Sequence, residues 1–208
     1  MMARRSTTEV QQLILAAAER EFSTKGYAKT TTDDIAEAAG VSLSVLFRHY
    51  PAKADLFRDA LLHPFLESMR AFTAHWQHTF IDPVDEREVM RLFISDFYDH
   101  LNDHQEALLA LLAAEHGLDE GIVAEVHQQF DQIFAQFARM GEQEAQRRGW
   151  FSGEAMELNS RVLVALITAT VAHRQWFLPA GRKRLSREKL VNHITQLMLY
   201  GLRLAPPE

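Results

Sequence analysis

A chain of 208 residues that is 47% hydrophobic can bury a sizeable core, which excludes a largely disordered protein. No apolar run approaches the roughly 20 residues of a membrane span, the start Met1-Met2-Ala3-Arg4-Arg5-Ser6 has no signal-peptide core, and the lack of cysteine removes disulfides and thiolate chemistry, so a cytoplasmic protein with no membrane partner is expected. The net charge of −6 argues against a general nucleic-acid coat protein, but the charge is uneven: residues 1–58 carry 8 basic and 7 acidic side chains, against 14 and 21 in the remainder.

Apolar residues recur at helical spacing, glycine and proline fall at breaks, and no alternating β-branched run reads as a strand, so the expected class is all-α. A first helix is predicted from about Thr8 to Lys25, with Val10, Leu13, Ile14, Ala17 and Phe22 on one face and Gly26 as its stop. Thr31 caps a short second helix. Asp33 and Asp34 suit the positive end of its dipole and are assigned to capping, while Ile35, Ala36 and Ala39 supply its buried side. Gly40 ends it in a tight turn, and Ser42 caps a third helix through about Tyr50, stopped by Pro51. Two short helices joined at Ala39-Gly40-Val41 spell a helix-turn-helix: small Ala36 permits a close crossing, Gly40 takes positive φ, and Leu46 plugs the shared core.

The ordered run Ile14-Leu15-Ala16-Ala17-Ala18, Phe22, Gly26-Tyr27, Thr30-Thr31-Thr32, Ile35-Ala36, Ala39-Gly40-Val41-Ser42, Leu46-Phe47, His49-Tyr50, Lys53 and Leu56 resembles the N-terminal signature of TetR-family transcriptional regulators. The resemblance implies about nine helices in two parts: a three-helix DNA-binding domain over residues 1–52 and a helical ligand-binding and dimerisation domain over 53–208. It implies a homodimer on double-stranded operator DNA, most often a repressor, released by a small hydrophobic or aromatic effector and needing no cofactor.

A recognition helix in the major groove needs hydrogen-bonding or short side chains near its N-terminus and anchors that grip phosphate. Ser42, Leu43, Ser44 and Val45 open the third helix, and the last three are the base-facing candidates. By resemblance Thr31, Thr32, His49 and Lys53 hold the backbone, Arg48 reaches a guanine edge or a phosphate, and Phe47 and Tyr50 complete the DNA-binding set. Phe47 stands where the family usually has tyrosine, which removes a phenolic phosphate contact, and Leu43 fills a place often polar or basic. Readout is therefore expected to lean on shape and methyl contacts. Arg4 and Arg5 form either an arm into a neighbouring groove or a solvated tail.

A fourth helix is predicted from Lys53 to about Phe80, kinked at Pro64 and broken at Asp82-Pro83. Later helices are expected at Asp85–His104, Gln105–Glu115, Ile122–Arg148, Gly153–Phe177 and Ser186–Leu204. Phenylalanine-rich stripes on these helices suit a pocket for an apolar ligand, with Phe93, Phe97, Phe130, Phe134, His173 and Trp176 as its candidates. The last two helices carry more apolar surface than one core face needs, at Val162, Leu163, Leu166, Ile167 and Val171 and at Leu190, Ile194, Leu197, Met198, Gly201 and Leu202. That surface calls for a twofold partner, with Ala169 and Gly201 small enough for close approach.

Other functions are weaker. His100 and His104, four apart beside Asp99 and Asp103, and His75 with His78 have spacings that can hold a metal, but no ligand-rich frame accompanies them, so no metal site is assigned. No glycine-rich phosphate loop or Gly-x-Ser-x-Gly elbow supports an enzyme. A DNA-binding dimer with a protein partner and no small-molecule effector is the alternative within the same fold.

Overall fold

The computed structural model describes residues 6–79, 85–114, 117–118, 120–149, 154–178 and 185–203. The Arg4-Arg5 arm, the Asp82-Pro83 break and the loop expected over 179–184 lie outside these residues, as do the side chains of His78, Gly201 and Leu202. Helices α1 (Thr7–Lys25), α2 (Thr32–Ala39), α3 (Leu43–His49), α4 (Lys53–Phe57), α5 (His63–Thr79), α6 (Glu86–Asp103), α7 (Gln105–Ala114), α8 (Glu120–Arg148), α9 (Glu154–Ala172), α10 (Arg174–Phe177) and α11 (Arg187–Arg203) account for most of them, and no strand occurs among the described residues. The class is all-α, as its periodicity required.

The chain divides into two compact units: residues 1–68 with 106–130, and 69–105 with 131–208. The first is built on the helix-turn-helix. Ile14, Ala17, Ala18 and Phe22, spaced three and four apart on α1, are fully buried against Ile35, Ala36, Leu46, Leu56 and Phe57, and Ala110 and Ala114 of α7 close the same core. Each large aliphatic side chain here contributes about 1.5–3 kcal/mol by leaving water. Gly26 and Gly40 end α1 and α2 at φ 77° and 63°, so both turns need the left-handed freedom that glycine supplies. Ser6 caps α1 reciprocally with Glu9.

Helix α4 passes into α5 without a break through a π-turn at Arg58–Leu62. Sequence places the irregularity at Pro64, and the structure moves it one turn earlier for a steric reason. A proline ring at 64 crowds the carbonyl of residue 60 in a regular α-helix, and widening the preceding turn, with the His63 amide donating to the Arg58 carbonyl, gives it room. The rod is fastened within the first unit by Glu125 of α8, which accepts from Arg58 Nε at 2.9 Å and lies 3.1 Å from His63 Nε2.

The second unit packs aromatic rings. Phe72, Phe93, Phe97 and Phe137 lie with centroids 5.2–6.3 Å apart, and Trp76 meets Phe93 edge-on at 5.2 Å. Arg187 of α11 ties to α6 through the Asp99 carboxylate and Ser95 Oγ. The single helix expected over 153–177 is instead two, because His173 (φ −119°, ψ 32°) leaves the helical region. The Val171 carbonyl, which a continuous helix would bond to residue 175, accepts from Gln105 Nε2 at 3.1 Å.

Candidate nucleic-acid interface and internal cavity

The helix-turn-helix is set by its caps. Thr31 accepts the Asp34 amide at 3.1 Å, and Asp34 Oδ2 accepts from the Thr31 amide at 2.9 Å and from its hydroxyl at 2.7 Å. Those hydrogen bonds, the hydroxyl first, together with Lys25 Nζ at 3.2 Å, hold the Asp34 carboxyl at a pKa of about 2. Asp34 thus fulfils the capping role assigned from sequence, whereas Asp33 stands exposed in the first turn of α2. Ser42 Oγ caps α3 weakly at 3.4 Å from the Val45 amide and lies 3.0 Å from Ser44 Oγ.

With α3 anchored by Leu46 at 0% exposure, Ser42, Ser44, Phe47 and Arg48 face solvent. Leu43 is half-buried against the domain core, Val45 and His49 are half-buried, and Tyr50 is buried at the end of the helix. Thr31 is exposed and Thr32 half-buried. Lys53 opens α4 with its ammonium 4.3 Å above the Tyr27 ring, which is itself held by Phe22 and Phe57, and partial burial lowers the lysine pKa. Ala52 offers no side-chain cap of its own, and Asp55 Oδ2 accepts the Ala52 amide at 3.1 Å at the start of α4. Lys29, two residues before Thr31, is exposed.

The second unit contains a cavity of about 100 Å³ among α6, α8, α9 and α11. Val89, Met90 and Phe93 line it from α6, Phe137, Met140, Gly141 and Glu144 from α8, Met156, Asn159, Ser160, Leu163 and Val164 from α9, and Met198 from α11, with Glu86 at the start of α6. Of the six ligand candidates read from sequence, the structure brings Phe93 to this cavity, and Phe97, fully buried, stacks on Phe93 at 6.0 Å. Phe130 packs on Phe65 in the first unit, Phe134 lies under the Arg161 guanidinium at 4.6 Å, and His173 and Trp176 are exposed, the latter at 79%. The four methionines give no signal in sequence beyond apolar periodicity. Glu144 does give one: it continues the stripe Phe130, Ile133, Phe137, Met140 at the next helical step, so a charge sits on a buried face.

His100 and His104 have ring centroids 4.6 Å apart, and His104 Nδ1 lies 2.8 Å from the His100 carbonyl, which occupies one ring nitrogen. Burial first, and the His104 charge second, lower the His100 pKa to about 4. No cluster of three or more potential metal ligands occurs among the described residues.

The fold carries a helix-turn-helix, and comparison with known proteins shows what that part of the chain is similar to. Residues 14–60 match the model of the bacterial regulatory proteins of the tetR family. The HTH-type transcriptional regulator TtgR of Pseudomonas putida is 43% identical over 63 residues, which cover 29% of this chain and 30% of TtgR. The match thus spans less than a third of that relative's length. The TetR-family regulator PfmR of Thermus thermophilus superposes with a TM-score of 0.68 at 20% identity, covering 90% of this chain and 97% of PfmR. FadR of Bacillus subtilis, solved in complex with stearoyl-CoA, gives 0.64 at 18% identity, covering 92% and 98%. Residues 14–60 thus resemble the DNA-binding domain of the tetR family, and the chain shares the fold of solved TetR-family regulators. The relatives and fold neighbours named here are regulators rather than enzymes.

Proposed function

We propose that this protein is a cytoplasmic, ligand-responsive repressor that binds operator DNA as a homodimer. The observation that carries the proposal is the surface of α3. Ser42, Ser44, Phe47 and Arg48 are exposed on a helix pinned from behind by Leu46, so hydrogen-bonding, apolar and cationic groups stand together where a major groove would meet them. Thr31, Thr32, Lys53 and His49 flank them as phosphate anchors. Lys53 at the start of α4 brings an ammonium that would meet a phosphate of the DNA backbone. Tyr50, Leu43 and Val45 contribute more by holding α3 than by direct reach.

Residues 1–52 serve as the DNA-binding domain and 53–208 as the sensing and dimerising domain. Leu158, Val162 and Leu197, each more than half exposed, lie on α9 and α11 and form the face that pairs with a second copy. Leu163, Ile167, Val171, Leu190 and Ile194 of the same helices serve the chain's own core. Twofold pairing presents two recognition helices roughly 34–36 Å apart to an imperfect palindrome. The effector is a small, largely apolar molecule. The Met- and Phe-lined cavity supports this, as does stearoyl-CoA in FadR of Bacillus subtilis. Because α5 runs covalently from one compact unit into the other, effector binding biases recognition-helix geometry by population shift.

The test is a nuclease-protection footprint of the DNA upstream of the protein's own gene, with the oligomeric state measured by sedimentation. A protected, palindromic site bound by a dimer is expected. Absence of any protected site there and across a genome-wide pull-down would overturn the reading.

A further inference from the structure

One guanidinium in the first unit ties together two helices that lie far apart in the chain. Arg58, in the π-turn that follows α4, donates from Nη1 to Asp55 Oδ1 at 2.9 Å. From Nε it donates to Glu125 Oε2 of α8, also at 2.9 Å and 67 residues away in the chain. Asp55 uses its other oxygen at the start of α4, where Oδ2 accepts the Ala52 amide at 3.1 Å. The other oxygen of Glu125 lies 3.1 Å from His63 Nε2, and His63 Nδ1 stands 3.4 Å from Asp59. Ala52, Asp55, Arg58 and Glu125 therefore form a series of charge-assisted hydrogen bonds that begins beside Lys53 and ends on α8. The Asp55, Arg58 and Glu125 side chains are only 29–35% exposed, so the series is partly sheltered from solvent screening. On the opposite side of α4, Leu56 and Phe57 are fully buried with Ile14, Phe22 and Leu46. That apolar packing holds α4 to the helix-turn-helix without favouring a direction, and the charged series supplies a directional tie.

We propose that Glu125 is a positioning residue for DNA binding. It holds Arg58, and Arg58 holds Asp55 and the first turn of α4, so that Lys53 and the exposed face of α3 are presented in one geometry. The recognition unit is thus completed by a residue outside residues 1–52, in keeping with the grouping of residues 106–130 with 1–68. The proposal rests on the DNA-binding reading above and gives Glu125 no contact with DNA. The sign of its effect separates positioning from plain electrostatics. Glu125→Gln removes one negative charge at nearly constant shape, and a less negative protein binds a polyanion as well or better. Loss of a positioning residue does the opposite at the specific site, because an anchor out of register loses contacts that nonspecific binding does not require.

The experiment titrates the full chain, well below its melting temperature, with the footprinted operator and with a scrambled duplex of equal length. Glu125→Gln is expected to weaken operator binding at least threefold, to leave the scrambled duplex within twofold, and to keep the parent's salt slope, since no phosphate contact is lost. Arg58→Gln should weaken operator binding by a similar factor. The double variant Arg58→Gln/Glu125→Gln should bind within twofold of Arg58→Gln, because the two residues act in series. Hydrogen exchange on the free chain gives a readout that needs no DNA. The Asp55 and Leu56 amides, which both donate to the Ala52 carbonyl, should accelerate in Glu125→Gln at least threefold more than those of Ile14, Ala17 and Phe22. Operator binding equal to or tighter than the parent's, equal weakening on both duplexes, additive losses in the double variant, or exchange that accelerates equally at all these amides would overturn the proposal. A parent that protects no site removes the DNA-binding reading and the proposal with it. A parent that binds its operator while Glu125→Gln binds it equally well removes the proposal alone.

Discussion

Leu46 and Phe47 are neighbours on a seven-residue helix, and the structure assigns them opposite work. Leu46 is 0% exposed and fills the angle between α2 and α3 against Ile35 and Ala36, while Phe47 is 42% exposed. Replacing Leu46 by alanine removes three buried carbons and leaves a hole that the two short helices, fixed by the Thr31 and Ser42 caps, are poorly able to collapse. Leu→Ala changes of this kind cost about 3 kcal/mol or more, which for a chain of this length lowers Tm by roughly 6–12 °C. Phe47→Ala forfeits only partial burial and gains helix propensity, so its cost should stay below about 1 kcal/mol and its Tm shift within roughly 3 °C. Thermal melts by circular dichroism give the first quantity, and titration of a labelled operator well below both melting temperatures gives the second. Leu46→Ala should melt early yet bind within about threefold of the parent at low temperature, whereas Phe47→Ala should melt normally and bind at least tenfold more weakly. A Leu46→Ala variant destabilised by less than about 1 kcal/mol would refute the claim that this side chain closes the helix-turn-helix core.

Asp34, with its folded pKa lowered to about 2 from 3.8, contributes stability that is present above pH 3.8 and lost as pH falls through 2. Asp34→Asn should flatten the acid limb of the stability curve across that window in chemical denaturation. His100, lowered to about 4 from 6.5, stays neutral in the folded chain while the unfolded chain takes up a proton, so its contribution is full above pH 6.5 and is lost as pH falls toward 4. Its ring resonances should titrate near pH 4, and a midpoint above 6 would contradict the buried environment. Glu125→Gln weakens the clamp on Arg58 and His63, whose side chains are under half exposed, and should cost about 1 kcal/mol in urea denaturation. Val162→Asp puts a charge on the exposed α9 face and should shift sedimentation from dimer to monomer while the helical content is unchanged.

Local chemistry was legible wherever one residue type answers one backbone need. Thr31, Ser42 and Gly40 could be placed from sequence because caps and a left-handed turn each accept few side chains, and Leu46 because helical spacing turns it toward Ala36. What pattern alone leaves open is decided by neighbours distant in the chain. Nothing near Arg58 announces the π-turn that accommodates Pro64, and the end of α9 at His173 involves a side chain from residue 105. Leu43 read as a base-facing candidate because it opens α3, yet it packs on a core assembled from α1, α2 and α7, which its immediate neighbours do not reveal. The cavity was displaced for the same reason. Phenylalanine marks apolar surface without saying whether rings fill it, and here Phe72, Phe97 and Phe137 fill one region while methionines surround the space that remains. Glu144, the charge interrupting a buried stripe, was the sequence's best pointer to it.

The central claim is that α3 and its flanking anchors bind a specific DNA site, and it is tested most directly by the salt dependence of operator binding. The parent chain should bind saturably, resist nonspecific competitor, and weaken linearly in log–log plots against salt. Lys53→Ala should reduce that slope by about 1 per half-site while keeping sequence preference, as loss of one phosphate contact requires. Binding indifferent to sequence, or a Lys53→Ala slope equal to the parent's, would contradict the account.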